Sequence, residues 1–478
     1  LRILHNDFET RGILDLKLVG THNYVKHPLT KILMWAWAID NGPVHLWEPY
    51  LGPMPAEAMD ALLDPSVSKA AWHANFERSL FAEKLDINIP IEQWIDPMVN
   101  ARYFSLPGSL EKVGEILQIP MNLRKSKEGE DLIKLFSVPR PQKKLRKQAT
   151  DENTLFDISP TEEVATKYVF ADHTTHPDEW KAFGEYCKQD VVAERAIGDR
   201  LEHKSVAPLP EREKKLWFVD QKINAFGMPA DRKFVENSYA LALKDKQALY
   251  DQQKKLTGLD NPNSSSQMLA WARERGYPYN SLRKEPVLVA LNDSGNKITK
   301  ECREVLELRK KSGKTSYTKL AALSLALSED DFLRDQFLFM GSARAGRWSG
   351  RQVQLHNMAR PIKAVEVEGA MDLARELIYA EDYEGLQKKF GSVIDVVTSC
   401  IRSAFVAPPG MRFNVCDLNA IENRVLGWIT GEEKILDVFR TLSPSGRKRC
   451  PYLTFACVMY NIPYDVLERA YYEKKDPD

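Results

Sequence analysis

The chain has 478 residues, 43% of them hydrophobic, with 67 basic and 67 acidic side chains and a formal net charge of zero. That length exceeds one hydrophobic core and points to about three domains, while the balanced charge excludes bulk electrostatics as a guide to a nucleic-acid partner. The six cysteines form no Cys-x-x-Cys pair and lack histidine at zinc spacing, so they read as free thiols in a reducing compartment; without a signal progression or a membrane-length apolar run, the chain reads as soluble, intracellular and without a membrane partner.

Ile3, His5, Asp7 and Glu9 share one side of the first expected strand, which sets two acids side by side where they can share a metal. Strands follow at residues 32–39 and 44–47 around the turn Asp40-Asn41-Gly42-Pro43, so the early chain reads as a β-meander. The run Trp72 to Phe81 reads as the first turns of a helix, with Glu77 near its start. Residues 96–114 read as helix, turn and second helix, the latter capped by Ser109. Arg124 to Asp157 is charged and aperiodic, a surface excursion whose basic run Lys143-Lys144-Leu145-Arg146-Lys147 is placed to touch single-stranded DNA. Tyr186 and Asp190 stand four apart, so on a helix a phenol and a carboxylate point at one spot. Phosphodiester hydrolysis is the chemistry such a set would serve: two divalent metals about 4 Å apart activate a water and stabilise the leaving oxygen, and a phenol orients that water.

A linker at residues 205–210 marks a boundary. Leu216, Trp217, Asp220, Ile223 and Asn224 follow, then Gly227, and long helical patterns at residues 233–256 and 300–327; between these, residues 261–267 form a turn into a helix carrying Trp271. Lys314, Ser316 and Lys319 lie near one helical face at phosphate-gripping distance, an arrangement that solvation explains equally well. Further on, Phe413, Val415 and Asp417 alternate as on a strand, and Ile421, Val425, Trp428 and Ile429 recur at helical spacing until Gly431. The pattern predicts a buried strand running into a helix, with an acid at the turn that can hold a divalent metal and Glu422 within about a turn of it.

Asp7-x-Glu9, Asn75-x-Glu77 and Tyr186-x-x-x-Asp190 together resemble the three motifs of the DnaQ-like 3′-to-5′ proofreading exonucleases. The resemblance implies Asp7, Glu9, Glu77 and Asp190 as metal ligands, Tyr186 as the residue that orients water, and Asn75 at the DNA. Asn75 stands two residues before its acid where the family has three, and Glu77 replaces the commoner Asp. The run Asp417 to Arg424 resembles motif A of the family A DNA polymerases. There the resemblance implies that Asp417 binds the catalytic metals, Leu418 lends a carbonyl to the nucleotide, Glu422 excludes a ribose 2′-hydroxyl and Arg424 contacts DNA; Leu418 departs from the usual Tyr or Phe. The helical arm is similar to the family's thumb, implying DNA contacts from Lys314 and Lys319. Gly346-Arg347-Trp348-Ser349 and Gln354 to Met358 resemble two further family stretches, in which Arg347 reads the minor-groove side of the primer terminus, where acceptors are common to all base pairs, and Asn357 supports it. The stretch Ser399 to Gly410 looks like bacteriophage members of the family, and residues 451–463 fit the entry to the fingers.

The implied fold class is multidomain α/β plus α: an RNase H-like (DnaQ-like) exonuclease domain over residues 1–204, a helical thumb over 205–340, and a partial polymerase palm with the start of the fingers over 341–478. The implied function is a phage-like replicative DNA polymerase with proofreading. It would use Mg²⁺ or Mn²⁺ and act on primer-template DNA, single-stranded 3′ ends and deoxynucleoside triphosphates, in the host cytoplasm if phage-encoded. Neither the family's nucleotide-binding helix nor its His-Asp-Glu motif occurs in these residues. The expectation is therefore a whole exonuclease site and half a polymerase site, completed by a second polypeptide or a missing C-terminal segment. Two other readings stay open: a stand-alone exonuclease whose polymerase-like remainder grips DNA, and a non-enzymatic DNA-binding scaffold.

Overall fold

Side chains alternate along β1 (Arg2–Arg11): Leu4, Asn6, Phe8 and Thr10 are buried, while His5, Asp7 and Glu9 point to the other side and stay partly accessible. The computed structural model describes residues 2–125, 129–141, 168–202, 209–293, 295, 297–312, 318–342 and 344–472. The basic run at 143–147, Lys314, Ser316 and residues 205–208 of the expected linker lie outside them.

β1 is the centre of a five-stranded sheet ordered β3-β2-β1-β4-β5, with β2 at Lys31–Ile39, β3 at His45–Trp47, β4 at Val67–Ala70 and β5 at Trp94–Ile95. It pairs antiparallel with β2 and parallel with β4. The expected meander is only part of this sheet: α1 (Leu16–Lys26) intervenes between β1 and β2, and β4 and β5 extend the sheet in parallel on the far side. Gly20 interrupts α1 with a φ of 84°, so its residues carry no sustained helical period for a sequence reading to find.

One face of the sheet buries an aromatic cluster. Phe8 meets Phe81 edge-on at 4.9 Å between ring centroids, and Trp35 meets the same ring at 5.5 Å. Phe81 comes from α3 (Asn75–Leu85), which follows α2 (Ala56–Leu63) and β4. The chain then runs through α4 (Pro97–Tyr103), α5 (Leu110–Ile116), capped by Ser109 as expected, and α6 (Gly129–Phe136) to the long α7 (Pro177–Glu202). On the other sheet face small residues, Ala36 and Ala38, let α7 approach closely, and Phe183, Tyr186, Cys187 and Val191 face the strands at helical spacing.

The chain divides into two units, residues 1–406 and 407–478. Within the first, α8 (Glu211–Phe226) ends at Gly227, whose φ is 83°. There follow α9 (Arg232–Thr257), α10 (Ser265–Glu274), α11 (Lys284–Asn292), α12 (Lys300–Ser312) and α13 (Thr318–Ala326). Leu241, Leu320, Leu323, Val393 and Val397 form one core around α9, and Met268, Trp271, Val305 and Leu306 form a smaller one. The residues after α13 form the antiparallel pair Phe337–Ser342 and Arg347–Gly350.

A buried polar seam ties this region to the N-terminal sheet. Asp335 accepts from the His22 backbone N–H at 2.7 Å and from Asn75 Nδ2 at 3.1 Å, and Arg351 Nη1 donates to His73 Nε2 at 3.2 Å. Burial, and then the Arg351 charge, push the His73 pKa down to about 3. A base whose folded pKa is depressed gives stability that is present above its unfolded value near 6.5 and lost as pH falls toward the folded one. The Tm advantage of the wild type over His73→Gln is therefore expected to shrink between pH 8 and pH 5, which differential scanning calorimetry of the pair measures.

The second unit contains α14 (Ile421–Thr430), α15 (Glu433–Arg440), α16 (Pro451–Tyr460) and α17 (Tyr464–Tyr472). The expected helix is there, ending at Gly431 with a φ of 66°. The expected buried strand before it is not: residues 411–418 adopt no strand, and Val415 is 92% exposed. A strand exists by pairing its backbone groups with neighbours, and none of the described residues pairs with this segment.

Candidate metal-binding active site

β4 pairs with β1 only as far as His5 opposite Ala70. Beyond that point no described residue continues the parallel ladder beside Asp7 and Glu9. The chain leaving β4 turns through residues 71–74 into α3, and Asp96 holds that turn by accepting from the backbone N–H groups of His73 and Ala74, both at 3.1 Å. The first turn of α3 carries Glu77, which is 3% exposed. From the opposite side α7 supplies Tyr186 and, one turn later, Asp190.

Carboxylate oxygens of Asp7, Glu9 and Asp190 all lie within 4.8 Å of one another. Glu77 stands outside that trio, although the Asp7 charge acts on it. Its Oε2, like Asp190 Oδ1, is buried without a hydrogen-bond partner. Burial and then the neighbouring Asp190 push the Asp7 carboxyl up to about 8. Glu9 is raised by burial and then by Asp7 and Asp190, and Glu77 by burial and then by Asp7. Like charges packed in one buried space cannot all ionise unaided. Orphaned oxygens, a purely oxygen donor set and this mutual repulsion fit a hard divalent cation such as Mg²⁺ or Mn²⁺.

The surroundings fix the trio. Burial and the adjacent carboxylates hold the Tyr186 phenol far above its ordinary range, so it remains an O–H donor. A Cβ on Gly129 would lie 1.9 Å from the Tyr186 ring, so glycine there allows α6 to pass against it. The Cys187 thiol, kept protonated by burial, donates to Asp7 Oδ2 at 3.7 Å. His5 Nδ1 and Glu194 Oε2 are 2.8 Å apart, and Glu194 lies one helical turn beyond Asp190. Lys125 forms an ion pair with Asp190 and lies 4.8 Å from the centroid of the Tyr186 ring. Sequence reasoning missed Lys125, Cys187 and Glu194. Only Glu194 left a signal, as the next member of the series Tyr186, Asp190, Glu194 spaced by four. Beside the trio opens a cleft of about 680 Å³, lined in part by Arg124, Lys125, Tyr186 and Gln189.

In the second unit Asp417 and Leu418 are exposed, and Glu422 sits in the first turn of α14. Among the described residues, Asp417 belongs to no group of three metal-donor side chains as close as the Asp7 trio.

The sequence is 33% identical over 470 residues to a DNA polymerase of Bacillus phage SP02, a match spanning 98% of this chain and 67% of the phage protein. The chain belongs to the family A DNA polymerases. No protein-family model matches it. The fold is similar to the POL domain of Pol1 from M. smegmatis, solved in complex with DNA primer-template and dNTP, with a TM-score of 0.50 at 13% identity. That likeness covers 97% of this chain and 64% of the mycobacterial one, so the chain spans less than two thirds of that domain.

The family motifs expected to touch DNA are placed unevenly. Arg347 and Asn357 are exposed. Lys319 Nζ instead donates to the Val353 backbone carbonyl at 3.0 Å, and Asn75 is occupied by Asp335 and by Arg78 Nη2 at 3.1 Å. Arg424 donates to the Asn419 carbonyl at 2.9 Å and lies 4.0 Å from the centroid of the Phe439 ring.

Proposed function

We propose that this chain carries the complete 3′-to-5′ proofreading exonuclease of a phage-type family A replicative polymerase, together with the thumb and part of the palm. The observation that carries this reading is the trio Asp7, Glu9 and Asp190, brought together from a central strand and a facing helix with their oxygens within 4.8 Å. The mixed sheet with its acids on the central strand is compatible with an RNase H-like domain over residues 1–204. Asp7, Glu9 and Asp190 would hold the divalent ions, Glu77 being the nearest further carboxylate. Bound there, the metals supply an activated water and a stabilised leaving oxygen for hydrolysis of the terminal phosphodiester.

The protein's own residues do the rest. The Cys187 thiol gives Asp7 one weak hydrogen bond. Asp7 and Glu9 stay partly accessible beside the cleft, and the protonated Tyr186 hydroxyl orients the attacking water over the α7 face. Tyr186→Phe is expected to lower the single-turnover degradation rate by about 10- to 100-fold without changing affinity for a single-stranded 3′ end. An unchanged rate would remove Tyr186 from the mechanism.

On this reading Asp417, Leu418 and Glu422 belong to the polymerase half-site, which acts on primer-template DNA and deoxynucleoside triphosphates only when further chain supplies the remaining motifs. The test is a labelled primer-template incubated with these residues alone and Mg²⁺: the primer shortens with or without nucleotides, and does not lengthen.

A further inference from the structure

Three carboxylates facing one space need a positive charge, and this structure contains one. Lys125 reaches in from the segment after α5, pairs with Asp190 Oδ2 and lies over the Tyr186 ring. Its side chain is 29% exposed and that of Asp190 only 6%, so the pair lies at the boundary between the carboxylates and the open cleft. Its charge also acts on Asp7 and Glu9, the other two members of the trio. No motif in the sequence includes it.

We propose that Lys125 is the resident cation of the carboxylate site: it neutralises Asp190 while no metal is bound, and it must withdraw into the cleft when a divalent ion takes the trio. An ammonium is a compact charge on a flexible four-carbon stem, so it can occupy a cation's place and leave it without moving the backbone. A divalent ion held by Asp190 would share one carboxylate with the ammonium, and the two cations repel. Metal binding therefore includes the loss of the Lys125 contact, which sets the affinity of the DNA-free protein below what the three carboxylates alone would give. The inference rests on the reading of the trio as a metal site.

Mn²⁺ binding to the whole chain without DNA, followed by electron paramagnetic resonance of the free ion, tests it. Lys125→Met keeps the stem and removes the charge, and is expected to bind Mn²⁺ about tenfold more tightly than wild type. Lys125→Arg retains a cation and is expected to stay within about twofold of wild type. The rise in Tm on adding Mn²⁺ should be larger for Lys125→Met, because its metal-free form has lost the internal counter-charge. Lys125→Gln replaces Lys125→Met if the latter does not fold. Equal or weaker Mn²⁺ binding by the neutral variant, with wild type binding and Asp190→Asn not binding, overturns the role of Lys125 and leaves the metal site standing. Wild type that binds no Mn²⁺ overturns the metal site, and the role of Lys125 with it.

Discussion

Asp7→Ala is expected to lower the rate at which the chain degrades a single-stranded 3′ end by at least about a thousandfold, with ordinary folding retained. Asp7 sits on the central strand, and its neighbours in the trio come from β1 and α7, so removing it takes away the donor both sides share. The fold loses little by the change. Asp7 is an acid among acids, and its one hydrogen bond from a side chain is the weak one from Cys187. A Tm within a few degrees of wild type, together with the lost rate in quench-flow assays, separates a chemical defect from an unfolded one. Retention of more than about a tenth of the wild-type rate would assign the chemistry elsewhere.

Asp417→Ala is expected to have the opposite selectivity. In a polypeptide extended over the part of the phage relative that this chain does not cover, it should abolish primer extension, again by about a thousandfold or more, and leave 3′-end degradation within about twofold. Asp417 lies in the second unit, exposed and, among the described residues, in no group of three metal-donor side chains as close as the Asp7 trio. The Asp7, Glu9 and Asp190 trio lies wholly in the first unit. Paired extension and degradation assays on one labelled primer read both activities in the same sample. Loss of both activities would show that the two sites do not act separately.

Much of the candidate site was legible because it is written in local periods. Alternation alone puts Asp7 and Glu9 on one side of β1, the interval of four puts Tyr186 and Asp190 on one face of α7, and Glu77 stands in the first turn of a helix as its run suggests. What stayed hidden depends on long-range placement. Lys125 sits in a charged stretch with nothing to distinguish it from a solvated lysine until α7 comes to face it. The hydrogen bond from Lys319 to the Val353 carbonyl joins residues far apart in sequence, and no local pattern encodes that meeting. The strand expected at Asp417 failed for a related reason: Phe413, Val415 and Asp417 have the period of a strand, but the ladder has to come from other strands, and the described residues provide none. α1 was missed because Gly20 breaks its period from within.

If the Asp7, Glu9 and Asp190 cluster hydrolyses DNA from the 3′ end with divalent metal, the products and their dependence on metal follow. A 5′-labelled single strand incubated with the wild-type chain tests it most directly. With Mg²⁺ the expected result is a ladder of products shortened one nucleotide at a time from the 3′ end, and none in excess EDTA. Intact DNA with Mg²⁺ and Mn²⁺, release of the 5′ label as a mononucleotide, or an equal ladder in EDTA would contradict it.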